Sequence, residues 1–234
     1  SEYGHEVYAH DIDKKKIDAF TSGRSELIEK YVNEPGLVNI IRETLGKSLH
    51  FSDDLEAIIE GTDAIFMCLP TPSDIYGSTN LTFYNAAAES IAEVLANRQD
   101  KRRFVLVNKS TVPIGTARHL EGIMKAHGVE NFGVASNPEF LAEGTAVAAA
   151  RRPDRVVVGC DCEADFSILR RVYSQFVHHV RIKYIETTPE TAEAIKYVAN
   201  TMLLTYISFW NGVGAKICEN MPTVNIYDLR LGVT

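Results

Sequence analysis

Two acids, Glu139 and Glu143, stand four positions apart in the run Asn137-Pro138-Glu139-Phe140-Leu141-Ala142-Glu143-Gly144, directly after the strand-like stretch Phe132-Gly133-Val134-Ala135. Ligands of open α/β sheets bind at the carboxyl ends of strands. A second polar turn, Lys109-Ser110-Thr111-Val112-Pro113-Ile114-Gly115, follows another strand-like run, Phe104 to Asn108. Further on, Lys196 and Asn200 stand at i and i+4 in a helical pattern, so both leave the helix from one face. Together these pieces read as walls of one polar site. An ammonium beside an oxygen and a positioned carboxylate suit the oxidation of an alcohol, where a proton must leave as hydride departs. The same residue types also suit a solvated turn and the polar face of a helix.

The elements that must position these groups alternate. Glu6 to His10 reads as a strand ending in Asp11-Ile12-Asp13, with a helix through Lys16 and Phe20 after it. A strand closed by an acid is the pattern of the second strand of a dinucleotide fold, where the carboxylate takes the adenosine ribose hydroxyls. Asp11 or Asp13 could equally cap the following helix; Asp13 suits the cap and leaves Asp11 for the ribose. Glu34-Pro35-Gly36 opens a helix from Leu37 to about Leu45, and Leu49 to Phe51 is a short strand. Asp53-Asp54 starts a helix to Glu60, and Ala64 to Leu69 is an unbroken apolar strand broken by Pro70-Thr71-Pro72-Ser73. A helix from Leu81 to Ala96, strand Phe104 to Asn108, helix Thr116 to His127 and strand Phe132 to Ala135 follow. Then come strand Arg155 to Gly159, helix Ala164 to Phe176 and strand Val180 to Tyr184. This alternation predicts an α/β fold with a doubly wound, parallel, Rossmann-like sheet.

From Pro189 to Cys218 the pattern is one long helix, with Thr188 as cap and Glu190 and Glu193 in its first turns. Its length suits a domain connector or a dimer seam. The expected division is a Rossmann-like domain over 1–187, then this helix and the start of a further domain over 188–234. A dinucleotide fingerprint belongs roughly 20 residues before the ribose acid, and no G-x-G-x-x-G stands there. The expectation is a sheet lacking its first strand and glycine-rich loop. That strand is central in the usual order, so its neighbours would each keep an unpaired edge.

Composition excludes more than it selects. A hydrophobic content of 45% and charged content of 24% over 234 residues are ordinary for a globular chain. The net charge of −7 argues against a nucleic-acid partner. No apolar run approaches the roughly 20 residues of a membrane span, so no membrane partner is expected. Cys160-Asp161-Cys162 has the wrong spacing for a zinc site, so no metal is expected. Four thiols without a pairing pattern fit a reducing cytoplasm.

The ordered set Tyr3-Gly4-His5-Glu6-Val7, Asp11-Ile12-Asp13, Glu34 to Leu37, Thr71-Pro72-Ser73, Lys109 to Gly115, Asn137 to Gly144, Pro153-Asp154-Arg155 and Lys196 to Asn200 resembles the nucleotide-sugar dehydrogenase family over nearly the whole chain. The resemblance implies NAD-dependent oxidation of the C6 hydroxyl of a UDP-hexose, UDP-glucose foremost, in two hydride transfers with an aldehyde-level intermediate held on a cysteine. It implies Asp11 at the adenosine ribose, Lys16 at the adenine-side ribose or phosphate, and Leu69, Pro70, Thr71, Pro72, Ser73, Ser110 and Thr111 along the cofactor, with Glu143 near the nicotinamide. Glu139, Phe140, Leu141, Ala142 and Glu143 would bind the sugar, with Glu139 as acid/base. Lys196 would stabilise the oxyanion, and Asn200 and Thr111 would orient hydroxyl or water. The chain departs from the family at Pro70, which removes a backbone donor, and at Asn211-Gly212, where a helix break or altered contact is expected. The family's cysteine and its sugar-nucleotide domain belong beyond the long helix, so this chain alone is expected to be inactive. GDP-mannose or 3-hydroxyacid oxidation is the alternative within the reaction class, and a non-catalytic module dimerising through the long helix is the alternative outside it.

Overall fold

The structure is a computed structural model that describes residues 1–233; Thr234, the expected end of the second segment, lies outside the described residues. The chain divides into two compact units, Ser1–Glu193 and the residues from Ala194 onward.

The first unit holds two sheets. In one, β1 (Val7–His10) pairs in parallel with β2 (Leu49–Ser52), linked through α1 (Lys14–Thr21), α2 (Ser25–Ile28) and α3 (Leu37–Thr44). After α4 (Leu55–Ile59) come β3 (Ala64–Met67), α5 (Thr82–Ala96), β4 (Phe104–Asn108), α6 (Thr116–Ala126) and β5 (Phe132–Ser136). Then follow α7 (Ala146–Arg151), β6 (Arg155–Gly159), α8 (Glu163–Val172), α9 (Ser174–Val177) and β7 (Lys183–Thr187), the second sheet running in the order β3-β4-β5-β6-β7. All its pairings are parallel except β5–β6, which meet antiparallel at Ser136 and Gly159. Among the described residues β1 pairs only with β2 and β3 only with β4.

Alternation of side chains puts successive residues of the central strands on opposite faces. Phe104, Leu106 and Val134 pack against Tyr84, Ala88, Ile91, Leu120 and Met124 of α5 and α6. Val105, Val107, Ala135, Val156 and Val158 pack against Ile168, Leu169 and Phe176 of α8 and α9. A smaller core, Phe20, Ile28, Ile41 and Leu49, closes the β1–β2 sheet. Gly133 on β5 faces the Asp165 carboxylate, where an added Cβ would stand 2.3 Å from it. There Asp165 is buried and accepts from Arg103 through Nε at 2.6 Å and Nη2 at 3.0 Å.

Two expectations need correction. The last strand is Lys183–Thr187, three residues later than Val180 to Tyr184, because Val180 stands fully in solvent. The long helix is not uniform: α10 (Pro189–Phe209) passes into a π-helical turn, Trp210–Gly214, and then α11 (Ala215–Asn220). The expected disturbance at Asn211-Gly212 is thus a local widening, and Gly214 is required there because a Cβ would meet the Trp210 ring at 2.5 Å. Within the second unit, α12 (Ile226–Val233) follows. No helix among the described residues is long and apolar enough to cross a membrane.

Candidate functional site

The loops that leave β3, β4 and β5 emerge at the carboxyl ends of adjacent parallel strands, and hydrogen bonds stitch them together. Ser110 Oγ accepts from Leu69 N at 2.7 Å and donates to Leu69 O at 2.8 Å. Thr71 Oγ1 donates to Thr111 O at 2.8 Å. These two hydroxyls are therefore occupied in shaping the loops. Pro70, Pro72 and Ser73 are exposed, while Leu69, Thr71, Ser110 and Thr111 are half-buried.

The loop after β5 begins beside the loop after β4, where Asn137 N donates to Asn108 O at 2.9 Å. Asn137 is buried and anchors this corner: its Nδ2 donates to Val157 O at 2.7 Å, and its Oδ1 accepts from Lys109 Nζ at 2.9 Å and from the Tyr173 hydroxyl. Burial holds the Tyr173 phenol well above its ordinary pKa, so it remains a donor. Glu139 Oε2 accepts from Leu141 N at 2.6 Å, and the Phe140 ring lies 4.0 Å from the Arg155 guanidinium. Leu141, Ala142 and Glu143 are exposed. The far end of this loop is held from elsewhere. Glu34 accepts from Gly144 N at 3.0 Å and from Val147 N at 3.3 Å, so the turn before α3 clasps the acidic loop.

Asp11 lies at the carboxyl end of β1, in the other sheet. Its Oδ1 accepts from Asp13 N at 3.0 Å and its Oδ2 from Lys16 Nζ at 2.5 Å. Partial burial opposes its charge, but the Lys16 and Asp13 hydrogen bonds outweigh it and hold the carboxyl below its usual range. Asp13 caps α1, accepting from Lys15 N at 2.9 Å. Asp13 thus caps the helix as expected, while Asp11 is half-buried and held by Lys16 and the Asp13 amide. Lys196 and Asn200 lie on α10 in the second unit, one helical turn apart, with Lys196 buried and Asn200 exposed.

One functional-site neighbour escaped sequence reasoning. Glu193 reads as an ordinary first-turn acid of its own helix. In the structure it is buried and accepts from Gly115 N at 2.7 Å, Ala117 N at 2.9 Å and Ser136 Oγ at 3.0 Å. Burial pushes its carboxyl above the ordinary value, against the pull of these three donors. Only the absence of any side-chain cap before α6, where Gly115 stands, hints at a donor pair needing an outside acceptor.

An ionised carboxylate after β1, an open loop after β3 and small polar residues after β4 fit the adenosine and nicotinamide halves of a dinucleotide. The chain contains no glycine-rich phosphate cradle.

Residues 1–177 match the family model described as UDP-glucose/GDP-mannose dehydrogenase family, NAD binding domain. The chain is 37% identical over 224 residues to UDP-glucose 6-dehydrogenase TuaD of Bacillus subtilis, covering 94% of this chain and 45% of that protein. It is 34% identical over 238 residues to UDP-glucose 6-dehydrogenase of Rhizobium meliloti, covering 100% and 52%. Among solved structures, a UDP-glucose dehydrogenase from Pyrobaculum islandicum superposes with a TM-score of 0.86 at 32% identity, over 98% of this chain and 51% of that one. A GDP-mannose dehydrogenase from Pseudomonas aeruginosa gives 0.85 at 27% identity, over 98% and 51%. The chain spans about half the length of these relatives.

Proposed function

The chain belongs to the UDP-glucose/GDP-mannose dehydrogenase family, and from that premise we propose that it carries the NAD-binding part of an enzyme that oxidises the C6 hydroxyl of UDP-glucose to a carboxylate. The observation that supports the reading is the set of hydrogen bonds joining the loops after β3 and β4, with Asn137 at the start of the loop after β5 bonded to Asn108 O. Bound NAD would accept the hydride in each of the two oxidations.

The chain's own residues divide the remaining work. Asp11, held ionised beside Lys16, accepts the ribose hydroxyls and disfavours a 2′-phosphate. Leu69 to Ser73, Ser110 and Thr111 line the cofactor path, and Glu143 approaches the nicotinamide side. Glu139 takes the alcohol proton as acid/base, and Phe140, Leu141 and Ala142 complete the wall against the sugar. The Lys196 ammonium stabilises the oxyanion, and Asn200 and Thr111 orient hydroxyl or water. Glu139 already engages the Leu141 backbone amide, an arrangement that supports a carboxylate held ready rather than a loose surface acid.

The 234-residue chain by itself is proposed to bind NAD without turnover. Cys160 is buried with its thiol pushed far up by that burial, so it does not suit the covalent step. Exposed apolar side chains around α10 support a homodimer: Met202, Leu203, Leu204 and Ile207 are 66%, 59%, 65% and 46% exposed. Light scattering that returned a monomer at all concentrations would refute the dimer.

The experiment for the substrate is a panel of UDP-glucose, GDP-mannose and 3-hydroxyacids presented with NAD to the complete enzyme. UDP-glucose is expected to be oxidised fastest. Preferential turnover of GDP-mannose would move the assignment to the relative that superposes nearly as well.

A further inference from the structure

We infer that Glu193 is a positioning residue for the dehydrogenase site, its carboxylate locking the loop that carries Thr111 to the strand end that leads into Glu139. The inference rests on the reading of Thr111 and Glu139 given above. Three segments distant in sequence meet at this one group. Gly115 closes the loop after β4, Ala117 lies in the first turn of α6, and Ser136 is the last residue of β5, three residues before Glu139.

The chemistry explains why a carboxylate is required. The first amides of a helix lack intrahelical acceptors, and α6 begins at a left-handed glycine that offers no side chain. Glu193 supplies both acceptors from another helix, and its charge complements the α6 dipole. Its side chain is 3% exposed, so water cannot take over the role. The carrier helix is seated by Gly159, where a Cβ would stand 2.6 Å from Thr188 O and 2.8 Å from Ala192 Cβ. The same helix reaches Lys196 one turn later.

Glu193→Gln keeps the size but replaces one acceptor oxygen with a donor facing a donor. Hydrogen exchange on the full chain, with and without NAD, reads the consequence. Amides of 115–117 are expected to exchange about tenfold faster or more, and the acceleration is expected to spread to 109–113 and 137–144. NAD affinity is expected to weaken about tenfold through the displaced loop. Ser136→Ala, which removes one of the three contacts, is expected to give a smaller change in the same segments and serves if Glu193→Gln does not fold. Glu190→Gln, on the same helix and paired with Arg118 at the surface, is expected to leave these segments unchanged. Acceleration confined to 115–117 with unaltered NAD affinity would reduce Glu193 to a helix cap and overturn the inference. Coupled acceleration alongside a complete enzyme that forms no NADH from any nucleotide sugar would keep the lock and remove the dehydrogenase reading.

Discussion

Gly159→Ala tests whether the start of α10 is as tightly seated as the structure has it. Gly159 ends β6, and an added Cβ would stand 2.6 Å from Thr188 O, 2.8 Å from Ala192 Cβ and 2.8 Å from Pro189 Cα. Carbon atoms rest at about 3.5–4.0 Å, so the overlap is roughly 1 Å against two of these atoms. All three contacts belong to or adjoin the backbone of one helix turn, so no flexible side chain can swing away. The first turn of α10 must move, or β6 must. Overpacking of this kind costs about 1–3 kcal/mol, and for a chain of this size each kcal/mol lowers Tm by roughly 2–4 °C. Gly122→Ala is the control of opposite sign. Gly122 lies inside α6, and its Cβ would meet nothing within 4 Å. Alanine there should stabilise by about 0.5–1 kcal/mol. Denaturant melts of both variants on the full chain decide the matter. Equal stability of Gly159→Ala and wild type would refute the packing described at the α10 start, and a loss in Gly122→Ala would refute the open space beside Gly122.

Three further outcomes follow from individual groups. Asp11→Asn should weaken NAD binding roughly threefold to tenfold through the lost ribose hydrogen bond and raise NADP affinity; titration with both cofactors measures the change, and an unaltered preference would remove Asp11 from the site. Arg118 hydrogen-bonds both Asp161 and Glu190 and holds both carboxyls below their ordinary range. A depressed carboxylate contributes stability that is present above its unfolded pKa and lost as pH falls through the folded one. Wild type should therefore lose part of its stability below about pH 4 in a step that Arg118→Ala lacks, as acid melts would show; parallel acid curves would contradict it. Arg103→Ala leaves Asp165 buried without its partner. Breaking such a pair costs about 3–5 kcal/mol, and the half-exposed Arg103 puts the expected loss at the lower end, measurable by urea denaturation; a loss under about 1 kcal/mol would mean that water reaches Asp165.

Much of the fold could be read from the chain because its central strands are unbroken apolar runs. Phe104–Asn108 and Arg155–Gly159 fall where the pattern puts them, and both are buried on both faces. The last strand could not be placed this way, since Lys183, Glu186 and Thr187 give it no apolar signature. The six-residue helix Ala146–Arg151 is too short to show a period. For the site, local chemistry was legible and distant chemistry was not. Asp13 as a cap follows from its place before α1, within the reach of a short side chain. Glu34 and Glu193 each serve backbone amides far away in sequence, a relation that no local pattern carries. The π turn at Trp210–Gly214 lies between these cases: Asn211-Gly212 marks the place, but the packing of the Trp210 ring against Gly214 has no local signature.

The most direct measurement is NADH formation by the complete enzyme from UDP-glucose, counted against sugar consumed. Two molecules of NADH per sugar, with Glu139→Gln and Lys196→Ala each slowing the reaction by about a hundredfold or more, is the predicted result. No NADH from UDP-glucose, or full activity in both variants, would contradict it.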